Sequence, residues 1–167
     1  MIIAVGDSFV FGNELADCDG FRHSLQTYSA ELAGNQLVCR AFPGASNASI
    51  SRMAIQACEE FPNSGLIVTW TYPQRTEIRV DNRWEPINSW HENYPEFSRV
   101  YFKYASNEYY ELYSMLKEIY FLQLYCQSKH IPYLFLTVDN TFYQHENYTR
   151  SQDSQLENLY NNIDWTR

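Results

Sequence analysis

Apolar positions along this 167-residue chain follow two periods in alternation. Runs at Ile2–Val5, Gln36–Arg40, Leu66–Thr71 and Tyr133–Val138 are rich in β-branched, leucine or aromatic residues and bounded by Gly, Pro, Asn or Asp, which predicts four strands. Helical spacing fills the intervals. Phe21, Leu25, Tyr28 and Leu32 share a face that stops at Gly34, and Ile50, Met53, Ala54, Ala57 and Cys58 share another, with Ser46 or Asn47 placed to cap its start. The strongest stripe is Leu112, Met115, Leu116, Ile119, Leu122 and Cys126, ending near Lys129-His130, and a last one is Leu156, Leu159, Tyr160 and Ile163. Strands alternating with helices over short connections predict a parallel sheet with helices on both faces, a three-layer flavodoxin-like α/β arrangement joined by right-handed crossovers.

One segment breaks the alternation. Thr76–Val80 and Arg83–Ile87 flank Asp81-Asn82 and predict a small β-hairpin, with Ile78 and Val80 across from Trp84 and Ile87. An irregular aromatic stretch to about Tyr104 is expected to follow, the whole insertion standing as a lid over the carboxyl edge of the sheet. No internal repeat, low-complexity tract or linker interrupts residues 1–167, so a single domain is expected.

Charge and cysteine usage narrow the function classes. A net charge of −8 argues against a nucleic-acid surface, which needs clustered Lys and Arg. No apolar run approaches the ~20 residues needed to cross a bilayer, so no membrane partner is expected. Cys18, Cys39, Cys58 and Cys126 are widely spaced, form no C-x-x-C pair and follow no leader-like start, which predicts free thiols in the cytoplasm. The sequons at Asn47 and Asn147 are discounted on the same ground. Neither a metal nor a cofactor is expected.

The first strand ends in Gly6-Asp7-Ser8-Phe9-Val10-Phe11-Gly12, which leaves Ser8 at a carboxyl strand end, the edge where open α/β sheets bind ligands. The string resembles the first motif block, Gly-Asp-Ser-x-x-x-Gly, of the SGNH (GDSL-like) hydrolase superfamily, and it lies near the amino terminus as in that family. The resemblance implies a serine esterase with Ser8 as nucleophile and the Ser8 N–H as one oxyanion donor. The family's second block supplies a glycine N–H, and Ala41-Phe42-Pro43-Gly44-Ala45-Ser46-Asn47 follows the second strand at the matching place, which makes Gly44 the second donor. Read alone, Pro-Gly-Ala-Ser-Asn is a turn and a helix cap. Asp7 belongs to the matched motif and is expected to orient its loop by accepting backbone N–H bonds.

Beyond the first third of the chain the sequence departs from the family pattern. No asparagine follows the third strand, where Thr71-Tyr72-Pro73-Gln74-Arg75 stands instead of Gly-x-Asn-Asp. Thr71 or Gln74 is the expected replacement donor. Asn47, Thr71, Tyr72 and Arg75 are the expected substrate contacts, with a salt bridge from Arg75 to Glu77 or another surface acid as the alternative for that cation. No Asp-x-x-His is present. Among His23, His91, His130 and His145, His145 with Asp139 lies after the fourth strand at the correct edge, His91 belongs to the insertion, and His130 lies at the wrong edge. A chain that stops before the fifth strand and its histidine is the simpler account, and it predicts an uncovered sheet edge and self-association.

Aromatic residues make up 17% of the chain, enough to raise the question of an aromatic site. Tyr109, Tyr110, Tyr113, Tyr120 and Tyr125 fit helix packing, whereas Trp70, Tyr72, Trp84 and Trp90 are expected to wall a cleft for an acylated sugar or other small ester. Three functions compete: an ester hydrolase, a binding or structural module that keeps the fold without the base, and flavodoxin-like nucleotide binding. The last is disfavoured because Asp7 would repel phosphate.

Overall fold

The computed structural model describes residues 1–12, 37–87, 94–138 and 154–165. The predicted helix over Phe21–Leu32, and with it Cys18, His23, Gly34, Trp90, His91, Asp139, His145 and Asn147, lies outside them.

Among the described residues four parallel strands form the central sheet: β1 (Ile2–Val5), β2 (Leu37–Cys39), β3 (Gly65–Trp70) and β6 (Tyr133–Thr137), in the order β2-β1-β3-β6. Registers run Ile3↔Val38, Ile3↔Leu66 and Val68↔Phe135. All four strands fall within a residue of the runs predicted for them, because each is a short apolar stretch closed by turn-forming residues. Ile3, Val5, Leu66, Val68 and Trp70 join one core with helices α2 (Asn47–Glu60), α4 (Glu108–Ser128) and α5 (Ser154–Asn162). The alternate residues Ala4, Ile67 and Thr69 are buried as well, so β1 and β3 are covered on both faces, as parallel strands require.

Helix α2 begins where expected: Ser46 is its N-cap and its hydroxyl accepts the Ser49 N–H at 3.0 Å. Helix α4 contributes Leu112, Met115, Leu116, Ile119, Leu122 and Cys126 to the core, the stripe read from the sequence. The last helix is held by Gln123 of α4, which donates to the Asn162 carbonyl at 2.9 Å and accepts the Asp164 N–H.

The hairpin is present as β4 (Thr76–Val80) and β5 (Arg83–Ile87), with Asp81 and Asn82 at φ 45° and 66° in the tight turn. Its register differs from the expectation: Trp84 faces Arg79, Ile78 faces Glu85, and Ile87 faces Thr76. The two-residue turn fixes these pairs. After it, residues 95–104 are not irregular but form helix α3 (Pro95–Tyr104). Pro95 sits in the first turn, Glu96 favours the positive end of the helix and Lys103 the other, and Phe97 stacks on Tyr101 one turn away. Among the described residues no helix is long and apolar enough to cross a membrane.

Candidate active site

The strand order places one switch point between β1 and β3: the chain leaves β1 toward β2 on one side and returns to β3 on the other. Loops that leave the carboxyl ends of such a strand pair diverge and open a crevice. The loops after β1 and β3 are Gly6–Gly12 and Thr71–Arg75, and they meet at Asp7.

Asp7 is wholly buried. Its Oδ1 accepts the Phe9 N–H at 3.0 Å, which caps the four-residue helix α1 (Ser8–Phe11), and its Oδ2 accepts the Thr71 hydroxyl at 2.6 Å. The Arg75 Nη1 lies 3.4 Å from the same oxygen. A carboxylate taken out of water is tolerated only when paired and hydrogen-bonded, and this one has both kinds of partner. Asp7 thus orients its loop by accepting a backbone N–H, as its place before Ser8 suggests. Arg75 pairs with Asp7 and not with Glu77, which is bound bidentately by Arg52 at 2.8 and 3.2 Å.

Gly6 is required by space. A Cβ there would lie 2.4 Å from Val10 Cγ2 and 3.2 Å from the Thr69 carbonyl oxygen, so helix α1 folds back directly onto the strand exit. Ser8 opens that helix, and its side chain is partly exposed. The loop after β2 runs beside it: Arg40 N–H donates to Ala4 O at 2.8 Å and Phe42 N–H to Gly6 O at 3.1 Å, which extends the parallel ladder and carries Gly44 to the same edge. Gly44 has φ 81°, in the left-handed region that favours glycine, and a Cβ there would meet only Pro86, at 3.7 Å. Among the described residues neither the Ser8 N–H nor the Gly44 N–H donates a hydrogen bond.

Two expected substrate contacts have structural partners. Asn47, 4% exposed, accepts the Thr71 N–H at 3.0 Å and donates to the Thr71 and Tyr72 carbonyls at 3.2 and 3.3 Å, so its amide clamps the loop after β3. Burial also leaves no room for a glycan on this sequon. The Thr71 hydroxyl hydrogen is directed to Asp7, which removes it as an oxyanion donor. Tyr72 is half-buried with Arg75 5.8 Å from its ring, and Gln74 is exposed. His130 lies between α4 and β6, at the amino end of that strand and away from Ser8. His145 and Asp139 fall outside the described residues.

Trp70 does not wall a cleft: it is fully buried in the core, edge-on to Phe135 at 5.5 Å. Trp84 is exposed on the hairpin, with the Arg52 guanidinium 4.4 Å from its ring centre. The Arg52–Glu77–Trp84 cluster had no signal along the chain, since Arg52 reads as a solvent-facing position of α2. Beside it a cleft of about 230 Å³ opens between α4 and the segment from Pro73 to Glu77 that leads into the hairpin, bordered by Asn47 and Arg75. Among the described residues no three His, Cys, Asp or Glu side chains converge on a metal-sized site.

No protein-family model matches the sequence, and neither does any curated protein.

Proposed function

We propose that this chain is an SGNH-like serine ester hydrolase on a doubly wound, three-layer flavodoxin-like domain. One observation carries the reading: Ser8 opens a helix at the carboxyl end of an interior parallel strand, with two N–H groups that have no acceptor among the described residues, its own and that of Gly44, at the same edge. In this mechanism Ser8 Oγ attacks the acyl carbonyl, the two N–H groups receive the oxyanion, the alcohol leaves with a proton, and water then hydrolyses the acyl-serine. We assign His145 as the base and Asp139 as the acid that orients it. The assignment is supported by their place in the sequence after β6, whose following residue Val138 donates its N–H to the Trp70 carbonyl at 3.1 Å. Asp7, Thr71, Arg75 and Asn47 act as positioning residues that hold three loops in one geometry.

A second reading, a binding module on the same fold, is favoured by the commitment of the Thr71 hydroxyl to Asp7, which removes one of the two side chains expected to act as third oxyanion donor.

The test is hydrolysis of p-nitrophenyl acetate together with labelling by a fluorophosphonate, followed by mass spectrometry. The esterase reading expects hydrolysis that falls in Ser8→Ala and a phosphonyl adduct on Ser8. Equal rates in the two proteins and no adduct on Ser8 would replace it with the binding module.

A further inference from the structure

The cleft beside the hairpin has the makings of a ligand site. Every cation that lines it is matched by a carboxylate: Arg52 by Glu77, Arg75 by Asp7 at 3.4 Å and Lys117 by Glu118 at 3.4 Å. An anionic ligand would have to displace one of these carboxylates, whereas the lining carboxylate Glu111 accepts the Ser106 hydroxyl and has no cation against it among the described residues. A neutral ligand displaces no ion-pair partner, and its hydroxyls suit a carboxylate acceptor.

The lining also offers flat apolar faces and polar groups in fixed positions. Tyr110 is half exposed on α4, Tyr101 is held in place by stacking on Phe97, and Trp84 is pinned by the Arg52 guanidinium. The Arg52–Glu77 pair is bidentate, with donors and acceptors side by side, and Glu77 is almost wholly buried. The side-chain amide of Gln74 has no hydrogen bond among the described residues. A volume near 230 Å³ is below the ~300–1,000 Å³ of pockets that enclose drug-sized molecules, which limits the ligand to about one ring.

From these features we propose that the cleft binds an uncharged pyranose, its C–H face on the aromatic rings and its hydroxyls on Gln74 and the Arg52–Glu77 pair. Arg75 links the cleft to Asp7, next to Ser8. The ring is therefore the alcohol part of the ester, an assignment that rests on the esterase reading; binding itself does not.

The experiment uses the Ser8→Ala protein, which lacks the nucleophile, labelled with ¹⁵N. The Trp84 indole resonance, assigned with Trp84→Phe, is followed during titration with methyl glucopyranoside, methyl galactopyranoside and methyl 2-acetamido-2-deoxyglucopyranoside. At least one is expected to shift it saturably, with Kd of about 1 mM or weaker, the scale of a single ring with few contacts. Tyr110→Ala and Gln74→Ala, both at exposed positions, should each weaken that binding by about tenfold. No saturable shift with any of the three, or tighter binding of glucose 6-phosphate than of the neutral sugars, would overturn the proposal. Sugar binding without Ser8-dependent hydrolysis would retain the cleft and reject the esterase, and the reverse result would do the opposite.

Discussion

Asn47 grips the Thr71 peptide at both ends, accepting its N–H at 3.0 Å and donating to its carbonyl at 3.2 Å. The contact ties the first residue of α2 to the residue that follows β3, and the two loops it joins carry Gly44 and Arg75. Asn47→Ala strands two buried backbone groups, each costing about 1–3 kcal/mol when unsatisfied. A lower urea midpoint with an unchanged m-value is expected, together with a lower Ser8-dependent rate. Asn47→Asp keeps the acceptor but sets a buried carboxylate oxygen against the Thr71 and Tyr72 carbonyls, and should cost at least as much.

Asp7, Thr71 and Arg75 form one unit, so their substitutions should not add. Thr71→Val removes the 2.6 Å hydrogen bond and should cost about 1–2 kcal/mol. Arg75→Met leaves a buried carboxylate without its counter-charge, although the partly exposed arginine allows water to offset some of that loss. The double variant Asp7→Asn/Arg75→Met is expected to lose less stability than the sum of its single changes, measured by urea unfolding.

Gly6→Ala tests the packing of helix α1 on the strand exit. The added methyl would lie 2.4 Å from a Val10 side chain that is itself fully buried, so the helix bearing Ser8 must shift or the core must open. Overpacking of this kind costs about 1–3 kcal/mol. The expected result is a lower thermal midpoint, partly recovered in Gly6→Ala/Val10→Ala, and reduced fluorophosphonate labelling of Ser8.

Cys58 and Cys126 predict an alkaline loss of stability. Burial raises the Cys58 thiol from 9.0 to about 11 and the Cys126 thiol to about 12, the latter also through its neighbour Cys58. A group that binds its proton more tightly in the folded protein stabilises it fully below the unfolded pKa. That advantage is lost as pH rises. Unfolding free energy should therefore fall from pH 9 toward 12, and less steeply in Cys58→Ala/Cys126→Ala. At neutral pH iodoacetamide should modify neither thiol until urea unfolds the chain.

Much of the architecture was legible in the chain because a strand or helix is a property of a few consecutive residues. The apolar runs located β1, β2, β3 and β6, the spacing in α4 named its buried face, and Asp81-Asn82 marked a turn whose two positive φ angles suit those side chains. Helix α3 was locally encoded too, in Pro95, Glu96 and the Phe97–Tyr101 pair, but its aromatic residues read as an irregular insert. The resemblance around Gly6-Asp7-Ser8 and Gly44 pointed to one edge of the sheet, and the ladder from Arg40 to Phe42 brings both loops there.

Partner choice was decided only in three dimensions. Asp7 and Thr71 are 64 residues apart, and they touch because β1 and β3 are neighbours whose carboxyl ends coincide. The same adjacency gave Arg75 to Asp7, left Glu77 for Arg52, and made Asn47 a clamp on the loop after β3. Trp70 shows the reason most plainly. Its position at the end of an apolar run is compatible with a core or a cleft wall, and the packing of Phe135 from the neighbouring strand puts it in the core. Period along the chain sets which face a residue occupies; the order of strands sets what that face meets.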